Sequence, residues 1–249
     1  MRTTLQTLLG LALLTLSEPA LAGDFQVSPV RVSLSSTAQA GMVTVSNRAG
    51  APVRLQLQGF AWSETVGGEQ VLTPSDRLVI FPTLLELNPG ESRRVRIGLN
   101  GAPASSEETY RLIVEELPDH RTPDPKGVAI RMRMSIPIFA SAADSSARGA
   151  VTEARVLPGR ERKLRIELSN LGQRHFKAGR IEVELERKGR PPLTANLTGW
   201  YVLAGQKREH LVELPKEARC ITGAKIRVET DGAGTLEWRD GLVDPACAR

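Results

Sequence analysis

Short runs in which apolar and polar residues alternate, separated by turn residues, make up most of this chain. Val53-Arg54-Leu55-Gln56-Leu57-Gln58 alternates strictly, and so does Val95-Arg96-Ile97-Gly98-Leu99. Residues 25–34 start in the same way and are interrupted by Pro29, while Met42-Val43-Thr44-Val45-Ser46 is rich in β-branched residues. Asn47-Arg48-Ala49-Gly50, Val66-Gly67-Gly68-Glu69 and Leu87-Asn88-Pro89-Gly90-Glu91 are turn signals between the runs. With residues 110–117 and 128–139, this predicts about seven strands before residue 142, spaced as in an antiparallel sandwich of the immunoglobulin type. Long helical periodicity is absent.

Ala142-Ala143-Asp144-Ser145-Ser146 is small and polar and reads as a linker. Beyond it Lys163-Leu164-Arg165-Ile166-Glu167-Leu168, Ile181-Glu182-Val183-Glu184-Leu185, Leu211-Val212-Glu213-Leu214 and Lys225-Ile226-Arg227-Val228 all alternate with period two. They predict a second β-sandwich with one solvated, charged face. The reading is thus all-β with two domains, residues 23–143 and 144–249, and no sequence repeat between them.

Composition narrows the class. The chain has 249 residues, enough for two domains of roughly 100–120 residues. Hydrophobic residues make up 41% and charged ones 24%, and the net charge of +5 is spread among mixed acids and bases. That excludes a disordered chain and gives no basis for a nucleic-acid partner. Arg2, the apolar residues 5–16 and Ala20-Leu21-Ala22 have the order of charge, apolar run and small-residue cleavage site of a secretory signal peptide over residues 1–22. In an exported protein the pair Cys220 and Cys247 reads as one disulfide.

Catalytic chemistry finds little support. His120, His175 and His210 sit in no motif and read as ordinary surface residues. There is no phosphate loop and no Gly-x-Ser-x-Gly elbow. Glu115 and Glu116 are adjacent, so a strand would send them to opposite faces. No metal site and no cofactor are expected, and Asn196-Leu197-Thr198 is a short glycosylation-type match.

Residues 128–139 are more informative. Val128, Ile130, Met132, Met134, Ile136 and Ile138 share one parity, and Arg131, Arg133 and Ser135 take the other. The row spans roughly 33 Å at about 3.3 Å per residue, long for a strand. Pro137 near its end suggests an edge strand. Either the row packs on its own core, or part of it is offered to another chain by strand addition.

Several motifs then align in order. Val27-Ser28-Pro29-Val30-Arg31-Val32, Val45-Ser46-Asn47, Leu87-Asn88-Pro89-Gly90-Glu91 with Val95-Arg96-Ile97, Glu107-Glu108-Thr109-Tyr110-Arg111 with Glu116-Leu117-Pro118, and Ile136-Pro137-Ile138-Phe139 resemble the periplasmic pilus (fimbrial) chaperones, particularly an archaic or spore-coat-like branch. The resemblance covers nearly all of the first domain. It implies two immunoglobulin-like domains set at an angle, and a non-enzymatic function. The last strand of the first domain would be lent to a pilus subunit, with Val128, Ile130, Met132 and Met134 as the donor residues and Ile136 and Ile138 nearer the junction. Arg31 would hold the subunit's C-terminal carboxylate in the interdomain cleft; otherwise it is a solvated strand-edge residue.

Three departures from the family pattern stand out. Its second anchoring cation falls on Pro137, leaving Arg131 or Arg133 as substitutes. Ala140 and Ser141 stand where a basic residue follows the phenylalanine, which weakens the interdomain ion pair expected at Glu107. The first domain has no cysteine. The expected function is a periplasmic chaperone that holds a subunit and passes it to an outer-membrane usher, with a self-capping homodimer when free. The alternative is a secreted two-domain binding module or adhesin that uses loops at one end of a sandwich.

Overall fold

The computed structural model describes residues 25–118, 130–159 and 161–247. The expected signal peptide, His120 and Val128 lie outside these residues. The first half contains β1 (Phe25–Ser28), β2 (Val32–Ser35), β3 (Ala40–Asn47), β4 (Val53–Glu64), β5 (Gln70–Pro74), β6 (Leu78–Phe81), β7 (Leu84–Leu87), β8 (Ser92–Leu99), β9 (Glu108–Glu116) and β10 (Arg133–Ser141). One sheet has the order β1-β3-β8-β6. The other runs β2-β10-β9-β4-β5, with β7 also on β4. The chain crosses from the first sheet to the second at the cis Ser28–Pro29 peptide.

Alternation explains how the two sheets close on each other. Val43 and Val45 of β3, Val95 and Ile97 of β8, Leu55 and Leu57 of β4, and Leu112 and Val114 of β9 all point into one apolar core. Their polar neighbours face outward, as the period-two pattern requires. Asn88-Pro89-Gly90-Glu91 closes a turn in which the Glu91 amide donates to the Asn88 carbonyl at 2.9 Å. Gly90 has φ +76° there, a value that favours glycine at the third position of such a turn.

The second half contains β11 (Gly149–Leu157), β12 (Lys163–Asn170), β13 (Phe176–Arg187), β14 (Arg190–Thr198), β15 (Tyr201–Val202), β16 (Lys207–Glu213), β17 (Ile221–Asp231) and β18 (Thr235–Gly241). The sheet β11-β12-β16 packs against β14-β13-β17-β18, with β15 on β13. The four alternating segments of the sequence lie on β12, β13, β16 and β17. Cys220 and Cys247 form a disulfide that ties the closing 3-10 turn, Pro245–Cys247, to the start of β17, with 4.7 Å between Cα atoms.

A structural echo links the halves although their sequences do not repeat. Buried Asn47, at the end of β3, donates to the Ala51 and Leu87 carbonyls at 2.8 and 3.0 Å and accepts from the Ala49 amide at 2.8 Å. Asn170, at the end of β12, donates to Arg174 and Val202 at 2.8 and 3.0 Å and accepts from Gly172 at 2.9 Å. Each amide group replaces the backbone partners that a turn leaves unsatisfied.

The structure corrects the reading of His210 as a surface residue: it is 8% exposed. It shares the parity of core-facing Val212 on β16, and its charged neighbours Arg208 and Glu209 mask that inward position in the sequence. Burial, with the nearby Arg208 charge, pushes its pKa down from 6.5 to about 4. The unfolded chain therefore binds the proton first, and stability falls as pH drops from about 6.5 to 4. At about 1.4 kcal/mol per unit the loss is of the order of 3 kcal/mol. Urea unfolding across that range should show the loss in the wild type, and His210→Leu should remove that part of it.

Candidate functional site: a half-buried strand and the domain junction

Strand β10 is buried unevenly along its length. Ile136, Ile138 and Ala140 lie in the first core, and Met132 and Met134 are partly buried against it. Ile130 is 85% exposed. The strand pairs with β9 along nearly its whole length, from Arg133↔Glu115 to Ala140↔Glu108. On its other side it pairs in parallel with β2 only from Ile138↔Val32 to Ser141↔Ser35. So the edge-strand reading holds for Arg133–Pro137, where no second neighbour is present among the described residues, and is corrected for the inner end. The regular strand is also shorter than residues 128–139 suggested, and begins at Arg133. Before it, the Met132 carbonyl accepts from the Glu116 amide at 3.0 Å and the Met132 amide donates to the Glu116 carboxylate at 3.2 Å.

The other parity of β10 points to the second domain. Phe139, 1% exposed, packs with Trp62, Tyr201 and Leu203 in a small core of its own, with Leu72 at its margin. The ring of His175 stacks on Phe139 at 3.5 Å between centroids. His175 thus is not the surface residue that its basic neighbours suggest. It is buried because the first domain covers it.

The same histidine answers the expected weakness at Glu107. Its ring Nδ1 lies 2.6 Å from the Glu107 carboxylate and its amide donates to that carboxylate at 2.8 Å. Ser141, in the stretch where the family has a basic residue, donates its hydroxyl at 2.5 Å. Burial alone would raise the Glu107 pKa, but the bonds from His175 and Ser141 outweigh it and hold the carboxyl below its ordinary value. Glu107 keeps an interdomain partner, therefore, with a different residue supplying it. Backbone bonds reinforce the junction: the Glu107 amide donates to Gln173 at 2.8 Å and the Glu209 amide to Val66 at 2.9 Å. A buried ion pair between Glu64 and Arg208 also joins the domains.

Arg31 and Arg111 bracket Pro137 on this face. Ile138 pairs with Val32, which sets Arg31 beside Pro137, and Pro137 pairs with Arg111 on β9. Arg31 is partly exposed and reaches Asp231 of the second domain at 3.3 Å. Arg111 is 3% exposed and stacks on the Trp62 ring at 3.6 Å. Its Nε and Nη2 have no hydrogen-bond partner among the described residues. Burial lowers its pKa, with the Glu64 and Tyr201 charges opposing. Arg131 and Arg133, the expected substitutes for the missing cation, are both exposed. Arg111 is the residue the sequence reading missed. Its signal is a lone charge inside the apolar run Tyr110-Arg111-Leu112-Ile113-Val114.

Comparison with known proteins agrees with this architecture. Residues 24–143 match the family described as pili and flagellar-assembly chaperone, PapD N-terminal domain. The first domain thus matches the N-terminal domain of the pilus-assembly chaperones, whose members are assembly chaperones rather than enzymes. No curated protein matches the sequence. Among solved structures, the fold resembles a chain of the CsuC–CsuE chaperone–tip adhesion subunit pre-assembly complex from archaic Csu pili of Acinetobacter baumannii. That match has a TM-score of 0.60 at 17% identity, over 89% of this chain and 100% of that one. The CupB2 chaperone of Pseudomonas aeruginosa matches with a TM-score of 0.51 at 17% identity, over 88% and 100%. A chain of the Salmonella enterica SafA pilin–SafB chaperone complex matches at 0.53 and 15%, over 88% and 97%. At these identities the likeness shows the two-domain, all-β fold.

The junction is testable by its acid sensitivity. With its folded pKa lowered, Glu107 contributes stability that is complete above about pH 4.5 and is lost as pH falls through the lowered value. Removing the ring partner with His175→Ala should cost roughly 1.5–3 kcal/mol in urea unfolding at neutral pH, as for a hydrogen bond to a charged group. Glu107→Gln should flatten the acid limb of the stability profile.

Proposed function

We propose that this chain is a periplasmic chaperone that binds a pilus or fimbrial subunit by lending it the edge of β10 and the residues before it. On this reading the subunit lacks a strand and has an open apolar groove, which the donor row fills. The chaperone keeps it soluble and passes it to an outer-membrane usher, where a better-fitting strand displaces the loan. Residues 1–22 direct export and are cleaved. Val128, Ile130, Met132 and Met134 are the donor residues, and Arg31 receives the subunit's terminal carboxylate with Arg111 beside it.

One observation carries the reading. A single apolar row leaves the core partway along its length, from fully buried Ile138 through half-buried Met134 and Met132 to exposed Ile130. Exposed apolar residues beside an unpaired strand edge invite another strand. Burying four such side chains in a partner would contribute on the order of 6–12 kcal/mol, at about 1.5–3 each, before ordering costs. The pair Arg31 and Arg111 adds support, because two cations beside Pro137 provide the charge that a carboxylate needs in a low-dielectric cleft. In the free chain the same row would support a self-capping homodimer.

Co-expression in the periplasm with pilus subunits from neighbouring genes tests the proposal. Tagged wild type should retain a subunit. Ile130→Asp should lose it while keeping the wild-type circular dichroism spectrum and melting temperature. Ile138→Ala, in the core, should instead cost about 2–5 kcal/mol of stability. Retention of the subunit by folded Ile130→Asp would contradict strand donation, and unfolding of Ile130→Asp would return that residue to the core.

A further inference from the structure

Strand β14 closes one side of its sheet and has no second neighbour among the described residues. An unpaired edge recruits other strands, and proteins blunt it by keeping the strand short or by placing charges on it. The other outermost strands of this chain follow that rule. β1, β2 and β6 have four residues each, and β5 has five. The longer β11, β16 and β18 carry charges, among them Glu153, Arg155, Lys207, Glu209, Glu237 and Arg239. β14 has nine residues, and from Pro191 to Thr198 none is charged.

The sequence of β14 is also close to symmetric. On either side of Ala195 stand a small polar residue, Thr194 or Asn196, and then a leucine, Leu193 or Leu197. Thr194, Asn196 and Thr198 are exposed on the outer face. Leu193, Ala195 and Leu197 take the inner parity and are only partly buried against the second core. Two such strands laid antiparallel about a two-fold axis at Ala195 set Leu193 opposite Leu197 and Thr194 opposite Asn196, twice each. Apolar then meets apolar on the inner face, and polar meets polar on the outer one. A slip of one residue would mix the faces, and a slip of two would set leucine opposite alanine, so the symmetric register is the best filled. Pro192 falls opposite Thr198 at the end of this ladder and Pro191 lies beyond it, where a missing donor costs least.

From this we infer that β14 is a self-association edge, through which two copies of the chain join the β14-β13-β17-β18 sheets of their second domains into one continuous sheet. Self-complementarity selects a second copy as the occupant, because a two-fold contact requires every residue to suit its symmetry mate. The absence of charge from Pro191 to Thr198 removes the like-charge repulsion that the other long edges would meet in the same arrangement. Two short strands make an interface at the small end of the range, so the dimer is a weak one that forms at high chain concentration. This contact shares no residue with the β10 edge, and it is separate from the self-capping homodimer considered there.

Sedimentation equilibrium on the chain carrying Ile130→Asp, which removes a dimer built on β10, tests the inference. That chain should dimerise as its concentration rises towards about 1 mM. Adding Thr194→Lys and Asn196→Lys sets two lysine pairs across the axis and should raise the dissociation constant at least about tenfold. Circular dichroism should not change, because both positions face water and pair with Glu184 and Glu182 of β13. Thiol mixing checks the register. Opposed residues stand about 4.5–5.5 Å apart at Cβ and diagonal ones about 7–8 Å. Thr194→Cys mixed with Asn196→Cys should therefore give the mixed disulfide in excess of random pairing. A monomer at every concentration, an undiminished dimer in the lysine variant, or no excess of the mixed disulfide would overturn the inference. So would loss of a pilus subunit from a folded chain in which the two lysines are present and Ile130 is intact, since β14 would then serve the subunit. The β10 reading is judged separately, by subunit retention in Ile130→Asp alone.

Discussion

The structure depends on one constraint, that β10 must satisfy two apolar environments at once. Its even-numbered residues Ile136, Ile138 and Ala140 fill the first core, and Phe139 between them enters the junction with the second domain. A strand has period two, so a slip of one residue would exchange these sets and expose both. Burying each large side chain contributes about 1.5–3 kcal/mol, which makes the register at this end expensive to change. The edge that precedes it is thereby held in a fixed direction and register, with β9 pairing it on one side. A strand held in this way would lose less freedom on pairing with another chain than a flexible one.

The junction shows how the two domains are held with polar groups as well as apolar ones. Glu107 and His175, and Glu64 and Arg208, are charged or polar pairs largely removed from water. Such pairs contribute less to net stability than their contacts suggest, because desolvation offsets much of the attraction. What they fix is orientation: each requires one specific placement of the second domain. Stacked against them, Phe139, Trp62 and Tyr201 supply the apolar contact. Arg31 and Arg111 stand on the same face, one partly in water and one under Trp62. Each already faces an acid of the junction, Arg31 through its ion pair with Asp231 and Arg111 through the charge of Glu64.

Much of the fold was legible because alternation and turn residues are local. The runs on β4, β8, β12, β13, β16 and β17, and the turn at Asn88-Pro89-Gly90-Glu91, follow from residues adjacent in the chain. What escaped depends on distant packing. His175 and His210 sit among charged neighbours, and only the covering domain or sheet reveals their burial. Arg111 takes its meaning from Pro137, some 26 positions along the chain and opposite it in the sheet. The row from Ile130 to Ile138 is uniform in sequence, and only its burial shows that it leaves the core between Ile136 and Met134. The matching roles of Asn47 and Asn170 were hidden for a simpler reason: one side chain is enough to satisfy a turn, and the residues around it are free to differ.

Amide hydrogen exchange over residues 130–134 measures strand donation most directly, comparing the free chain with a purified complex containing a pilus subunit. The amides on the outer edge of this segment should exchange rapidly in the free chain and become strongly protected in the complex, while Ile138–Ala140, already paired on both sides, change little. Unchanged exchange over residues 130–134, with protection appearing at loops or at the ends of the sandwich instead, would contradict strand donation as the mode of binding.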